Sequence, residues 1–278
     1  MITRVGRLTA AEFLKLGSNP FLYLSLGLVG AATLLSAWLY PVVFQKPETA
    51  WRAYHSVQLF GYGFQIGLKL ATFVLVIFSS MSMAGEFDKG TVKNLLTRPV
   101  TRTDVFTAKA LTVLLLGLGL FAYVLYLSLA WGLWRGNLGP IWDDATYVVM
   151  RPADQIAAHA RQAVLMCLPA FLAAGFLGFF VSNWTESSGY AVATALVIFI
   201  AGGVLTDLLR GSAQQAMFFH YGSHATQKLQ ELAAGGSASF GKDLLAGRFP
   251  LWIRVPAISI ALFLPVSYGI FRNRNITS

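Results

Sequence analysis

The sequence predicts an all-α membrane protein: six transmembrane helices, an amphipathic helix on the membrane surface at the N-terminus, and a short cytoplasmic helix between spans two and three. Three observations predict it. Of 278 residues, 56% are hydrophobic and only 12% charged, with a mean hydropathy of +0.61. A soluble domain carries about 25% charged residues, so this chain has too few to clothe a water-facing surface. Six apolar stretches each approach the ~20 residues needed to cross hydrocarbon. Aromatic residues gather at their ends, among them Trp38, Tyr40, Trp131, Trp134, Trp184, Trp252 and Phe271, as headgroup belts require. The same composition excludes intrinsic disorder, which needs low hydrophobicity and high charge.

Each element follows in order. Residues 1–19 carry Arg4, Arg7 and Lys15, with Val5, Leu8, Ala11 and Phe13 at rough helical spacing, the pattern of an interfacial helix. The apolar run after it, about Phe21 to Phe44, is longer than the 7–15 residues of a signal-peptide core. Later spans run about Tyr62–Ala84, Ala110–Trp134, Ala163–Ser182, Gly189–Leu209 and Leu251–Phe271. The whole of 1–278 reads as one transmembrane domain, with segment 85–109 on the cytoplasmic side and 210–250 on the other. Within the latter, Ala213–Ala234 reads as an amphipathic surface helix. Ten Lys and Arg fall in the pieces that a cytoplasmic N-terminus would place inside, five of them in 85–109, against nine in the longer outer pieces. That bias places both termini in the cytoplasm of a multi-pass protein of the cell membrane, expected to be a bacterial inner membrane.

The net charge of +9 is therefore membrane dress, contacting lipid headgroups. Its basic residues are scattered, not gathered into the stripe a nucleic-acid surface needs, so no nucleic-acid partner is expected. Cys167, the single cysteine, rules out an internal disulfide and reads as a small apolar residue within a span.

Segment 85–109, GEFDKGTVKNLLTRPVTRTDVFTAK, concentrates eight charged residues. Val92, Leu95 and Leu96 make an i, i+3, i+4 apolar ridge on a short helix. Thr91 is a plausible N-cap and Pro99 ends the helix, because the residue before proline avoids the helical region. Thr101, Thr103 or Asp104 can then cap span three, with Lys109 at the membrane boundary. Glu86, Gly90-Thr91, Leu95-Leu96, Pro99 and Arg102, followed by Lys109, resemble the loop of the ABC-2 family of ABC-transporter permeases. That pattern reads E-x-x-x-G-T-x-x-x-L-L-x-x-P-x-x-R with a later lysine. The resemblance in sequence covers some 25 residues, and the likeness in span layout covers the chain.

What the resemblance implies is a permease subunit, not an enzyme, with no ATPase of its own. In the family this loop holds the coupling helix that docks on a separate nucleotide-binding subunit. Carried over, Val92, Leu95 and Leu96 would form the docking ridge, with Glu86 at the membrane junction and Arg102 as its conceivable partner. Gly90 would allow close backbone approach and Pro99 would stiffen the exit. Glu186, in the short loop 183–188, would make a smaller second contact. The partners implied are ABC ATPase subunits and a second permease, a copy or a paralogue. ATP and Mg²⁺ would sit on the ATPase, with no cofactor on this chain. Export is implied, with a hydrophobic peptide, antibiotic or lipid as substrate; small-ion extrusion is the alternative. A self-contained secondary transporter would normally carry carboxylates within its spans, and Asp207, at the end of span five, comes nearest.

Other motifs carry less. Gly236–Asp243 matches a P-loop at Gly236, Gly241 and Lys242, but Asp243 replaces the Mg²⁺-binding Ser or Thr. His220 and His224 stand i, i+4 without a third ligand, and no metal site or catalytic residue is expected. Asn183 and Asn275 open sequons that a cytoplasmic placement leaves unused. Gly63 with Gly67, and Gly175 with Gly178, permit close helix contact within the chain or between copies. Lys69 stands inside span two. It either snorkels to the outer headgroups or lines the substrate path and meets an anionic or carbonyl-rich ligand.

Overall fold

The computed structural model describes residues 2–43, 56–90, 101–136, 139, 141–142, 149–233 and 250–274. Among them run α1 (Ile2–Gly17), α2 (Pro20–Val43), α3 (Ser56–Asp88), α4 (Arg102–Arg135), β1 (Ile141–Trp142), β2 (Val149–Arg151), α5 (Ala153–Trp184), α6 (Ser188–Leu208), α7 (Ser212–Gln215), α8 (Phe218–Ala233) and α9 (Leu251–Asn273). Six of these helices, α2 to α6 and α9, are long and apolar enough to cross a membrane. The two strands pair antiparallel, Ile141 opposite Arg151, in one short ladder.

The spans are where hydropathy places them, but α3, α4 and α5 are longer, at 33, 34 and 32 residues. At 1.5 Å per residue each is about 50 Å long, some 20 Å more than the hydrocarbon is thick. Hydropathy stops at the first polar residues, whereas the backbone ladder does not. Asp104 shows why: at the start of α4, Thr101 accepts from the Asp104 amide at 3.2 Å while the Asp104 carboxylate accepts from the Thr101 amide. This reciprocal box satisfies two otherwise orphaned amides beyond the apolar stretch.

α3 and α5 form the centre. Of the apolar stretch of α5, 67% is buried inside the protein, against 17% for α6 and 11% for α9. Phe64, Leu75, Phe121, Val124, Met166 and Phe171 form the main core between α3, α4 and α5. Small residues bring the helices close. A Cβ on Gly67 would meet Thr33 Oγ1 of α2 at 2.2 Å and Val124 of α4 at 2.9 Å, and one on Gly178 would meet Ser79 Oγ of α3 at 2.2 Å. The glycine pairs are used for packing within the chain.

The expected helix Ala213–Ala234 breaks at Ala216–Met217 into α7 and α8. It does not simply lie on a surface. Phe218, Tyr221, Ala225 and Leu229, at helical spacing, are buried, and Leu229 packs against Gly61 of α3. Tyr221 is enclosed and donates to the Gln215 carbonyl at 2.6 Å; burial raises its phenol above the ordinary range.

Candidate functional site

The ends of α1, α3, α4, α5, α6 and α9 converge on one face, and there the polar residues meet. α1 lies along α4 and carries Glu12 and Lys15 one turn apart, on the same side of the helix. Glu12 approaches the Lys109 ammonium at 3.0 Å, and Lys15 pairs with Glu86. Lys109 is 1% exposed, Glu86 4%. Their separation is 3.6 Å, and Lys109 donates to the Ser82 carbonyl at 2.9 Å. Ser82 and Glu86 are i, i+4 on α3, so one ammonium reaches both. Two cations and two anions make the cluster neutral. The cost of taking them from water is offset by hydrogen bonds that occupy the lysine's donors.

A second set of contacts joins the other helix ends. Arg102, the first residue of α4, donates to the carbonyls of Arg272 and Arg274 at 2.8 and 3.2 Å. Arg274 in turn donates to the carbonyls of Asn183 and Thr185, pairs with Glu186 at 2.9 Å and lies 4.1 Å over the Phe87 ring. Asp88, the last residue of α3, accepts from the Ser188 hydroxyl at 2.5 Å and its amide at 3.4 Å, capping the first turn of α6 with a carboxylate. The α5–α6 connection is thus tied to the end of α9, and the end of α3 to the start of α6.

Several expectations change here. Among the described residues Glu86 pairs with Lys15 and Lys109, while Arg102 donates to the Arg272 and Arg274 carbonyls at the end of α9. One of the two lysines, Lys109, comes from within 85–109; the other, Lys15, is delivered by α1, which packs along α4 and which no local reading of 85–109 contains. Among the described residues nothing lies within 4 Å of where a Cβ on Gly90 would be. Its φ of +63° closes α3 with a left-handed turn, the Gly90 amide bonding the Phe87 carbonyl at 3.0 Å. Glu186 is exposed on this face. Thr91, Val92, Leu95, Leu96 and Pro99 lie outside the described residues, bracketed by Gly90 and the capped start of α4. Glu12, Lys15, Asp88 and Arg274 are the residues a motif reading misses. The i, i+3 pair of opposite charge on an amphipathic helix is the one local signal for the first two.

Replacing Arg102 by alanine should free the end of α9. Losing two hydrogen bonds from a charged donor predicts about tenfold faster amide exchange over residues 270–274. Hydrogen-exchange mass spectrometry checks it; unchanged exchange would mean that Arg274 alone holds this end.

Towards the opposite face a cavity of about 400 Å³ lies between α3, α5, α6 and α8. Lys69 and Asp207 both line it, with Gln65, Thr72 and Gln227. Its apolar wall includes Phe199 and Phe219, whose rings lie 5.5 Å apart, and Phe218 stacked on Phe219 at 4.0 Å. Among the described residues Lys69 makes no ion pair or hydrogen bond. Burial lowers His220 below the ordinary imidazole range, and the Asp207 carboxylate opposes that shift. The rings of His220 and His224 stack at 5.0 Å, and no group of three metal-ligating side chains occurs among the described residues.

The chain was compared with known proteins. The family profile described as ABC-2 family transporter protein matches residues 8–202. Two relatives come from Bacillus subtilis (strain 168). The uncharacterized membrane protein YdbK is 28% identical over 135 residues, 49% of this chain and 51% of YdbK. The uncharacterized protein YhcI is 24% identical over 214 residues, 73% of this chain and 64% of YhcI. The chain thus spans about half of one relative's length and just under two thirds of the other's. The family match covers α1 to most of α6, including every helix of the buried charge cluster, and the chain belongs to the ABC-2 family of transporter proteins.

Proposed function

We propose that this chain is the permease subunit of an ATP-driven exporter, with a separate ABC ATPase docking on the face that carries the charge cluster. The observation behind this reading is how the helix ends on either side of segment 91–100 are held. Its near end follows α3, fixed by Glu86 to α1 and α4 and by Asp88 to α6. Its far end enters α4 through a capping box, with Arg102 tied to α9. A push on such a segment moves helices as rigid bodies, which is what transmission from a nucleotide-driven partner needs. Glu186 stands exposed on the same face as a second contact. On this reading the docking face is cytoplasmic, and α1 lies in the inner interface with Phe13 and Leu14 turned to lipid. A second permease, a copy or a paralogue, completes the translocation path. ATP and Mg²⁺ bind the ATPase.

The test is co-purification with the ABC ATPase encoded beside this chain. Leu95→Asp, which puts a charge on the expected ridge, should abolish co-elution while leaving the permease monodisperse. Glu86→Ala is a poorer probe, because its side chain belongs to the buried cluster. Retained co-elution of Leu95→Asp, or ion-gradient-driven transport by the chain alone, would overturn the reading.

A further inference from the structure

We infer that the cavity between α3, α5, α6 and α8 is a binding site for a zwitterionic phospholipid, its phosphate on Lys69 and its ammonium facing Asp207. The levels of the two charges carry the argument. Lys69 lies seventeen residues along α3 from Glu86, or about 26 Å at 1.5 Å per residue. Asp207 lies nineteen residues along α6 from Ser188, which is held by Asp88 on the charged face, or about 28 Å. Two separate helices thus raise one cation and one anion to the same height. In a hydrocarbon layer about 30 Å thick, that height is the boundary of the far leaflet.

Both charges line one cavity, and neither has an ion pair within the described residues. Both residues are exposed at this level, so their charges are open to a ligand. These two remain apart, with Gln65, Thr72 and Gln227 between the walls as further hydrogen-bonding groups. The remaining wall is largely apolar, with Phe73, Phe171, Phe199, Phe218 and Phe219, and about 400 Å³ is room for a headgroup with the first part of its acyl chains. Ile200 of α6 both lines the cavity and is exposed, and Val197 and Val204 extend that exposed face of the helix. α8 roofs the site, its Phe219 seated on Gly202, where a Cβ would come within 2.4 Å of the ring. A purely anionic lipid would leave Asp207 unanswered and repelled, so the pair selects a headgroup with both signs.

The inference does not depend on coupling to an ATPase and is tested without one. The purified chain is equilibrated with equal amounts of palmitoyl-oleoyl phosphatidylethanolamine and phosphatidylglycerol, and retained lipid is counted by native mass spectrometry. The wild type should retain phosphatidylethanolamine in preference. Lys69→Met and Asp207→Asn should each lower that retention about tenfold, the loss of one charge-assisted contact. Gly203→Leu gives a variant with both charges intact. Gly203 lines the cavity and has open space at its Cβ, so leucine should fill the site without displacing a helix. Excess glycerophosphoethanolamine, the headgroup without tails, should not displace the lipid. The inference falls if phosphatidylglycerol is preferred, if Asp207→Asn changes nothing, if Gly203→Leu retains lipid as the wild type does, or if the tailless headgroup competes. Those results would leave the docking of an ATPase untouched.

Discussion

Lys109→Met should destabilise the protein by about 3–5 kcal/mol, the cost of leaving a buried carboxylate without its counter-charge. It should be among the most damaging single changes on the charged face. Methionine matches the lysine stem in length and keeps its packing, so the loss isolates the charge. Glu86 and Glu12 would then face each other across α1 and α3 with only Lys15, whose side chain is 56% exposed, between them. The Ser82 carbonyl would lose its donor as well. By contrast Lys15→Ala, at an exposed position, should cost about 1 kcal/mol or less. The triple variant Lys109→Met, Glu86→Gln, Glu12→Gln should recover much of the loss, since it leaves no unpaired buried charge and the remaining Lys15 is exposed. Thermal unfolding in detergent, followed by loss of the monodisperse peak, reads all three. A Lys109→Met protein as stable as the wild type would mean that water reaches the cluster.

The spans were legible because crossing hydrocarbon imposes a length and a composition on the sequence itself. Their ends were less so. Lys109 marks the membrane boundary by hydropathy, yet α4 begins seven residues earlier at Arg102, where a capping box continues the ladder among polar groups. The candidate site was legible in part. Glu86, Gly90, Arg102 and Glu186 all fall on the charged face, but their roles are set by chain crossings. Glu86 meets Lys15 across 71 positions, and Arg102 meets the α9 carbonyls across 170 and 172. No periodicity within 85–109 encodes such a partner. The same holds for Lys69, whose counterpart across the cavity, Asp207, comes from another span. The helix of 218–233 has an amphipathic pattern that says it needs an apolar partner. The pattern does not say whether lipid or α5 supplies it.

Gly178→Ala and Gly119→Ala should move stability in opposite directions, although each adds one methyl group to a transmembrane helix. Gly119 is exposed on α4 with nothing within 4 Å of its Cβ position, so alanine there meets no neighbour and gains helix propensity of up to about 1 kcal/mol. Gly178 faces α3. Its Cβ would fall 2.2 Å from Ser79 Oγ, 2.7 Å from the Val76 carbonyl and 3.3 Å from Val76 Cα. The hydroxyl can rotate away, but the backbone of α3 can give only by opening the helix pair. Relief is blocked on both sides of the contact. One turn before, Gly175 meets Leu75. One turn after, Ser182 Oγ accepts from the amides of Met83 and Ala84 at 2.8 and 2.9 Å. Gly175, Gly178 and Ser182 thus form a stripe that holds α5 against α3 over about two turns. Overpacking it should cost about 3 kcal/mol or more. Ser79→Ala in the same chain should restore only part of this, because the Val76 carbonyl stays in place. α3 leads into segment 91–100 and α5 into the Glu186 loop, so the stripe makes the two expected contact elements one body. On the proposed function, Gly178→Ala should accordingly lower nucleotide-dependent transport even in molecules that remain folded. Equal melting temperatures for the two alanine variants would show that α3 and α5 can part without cost.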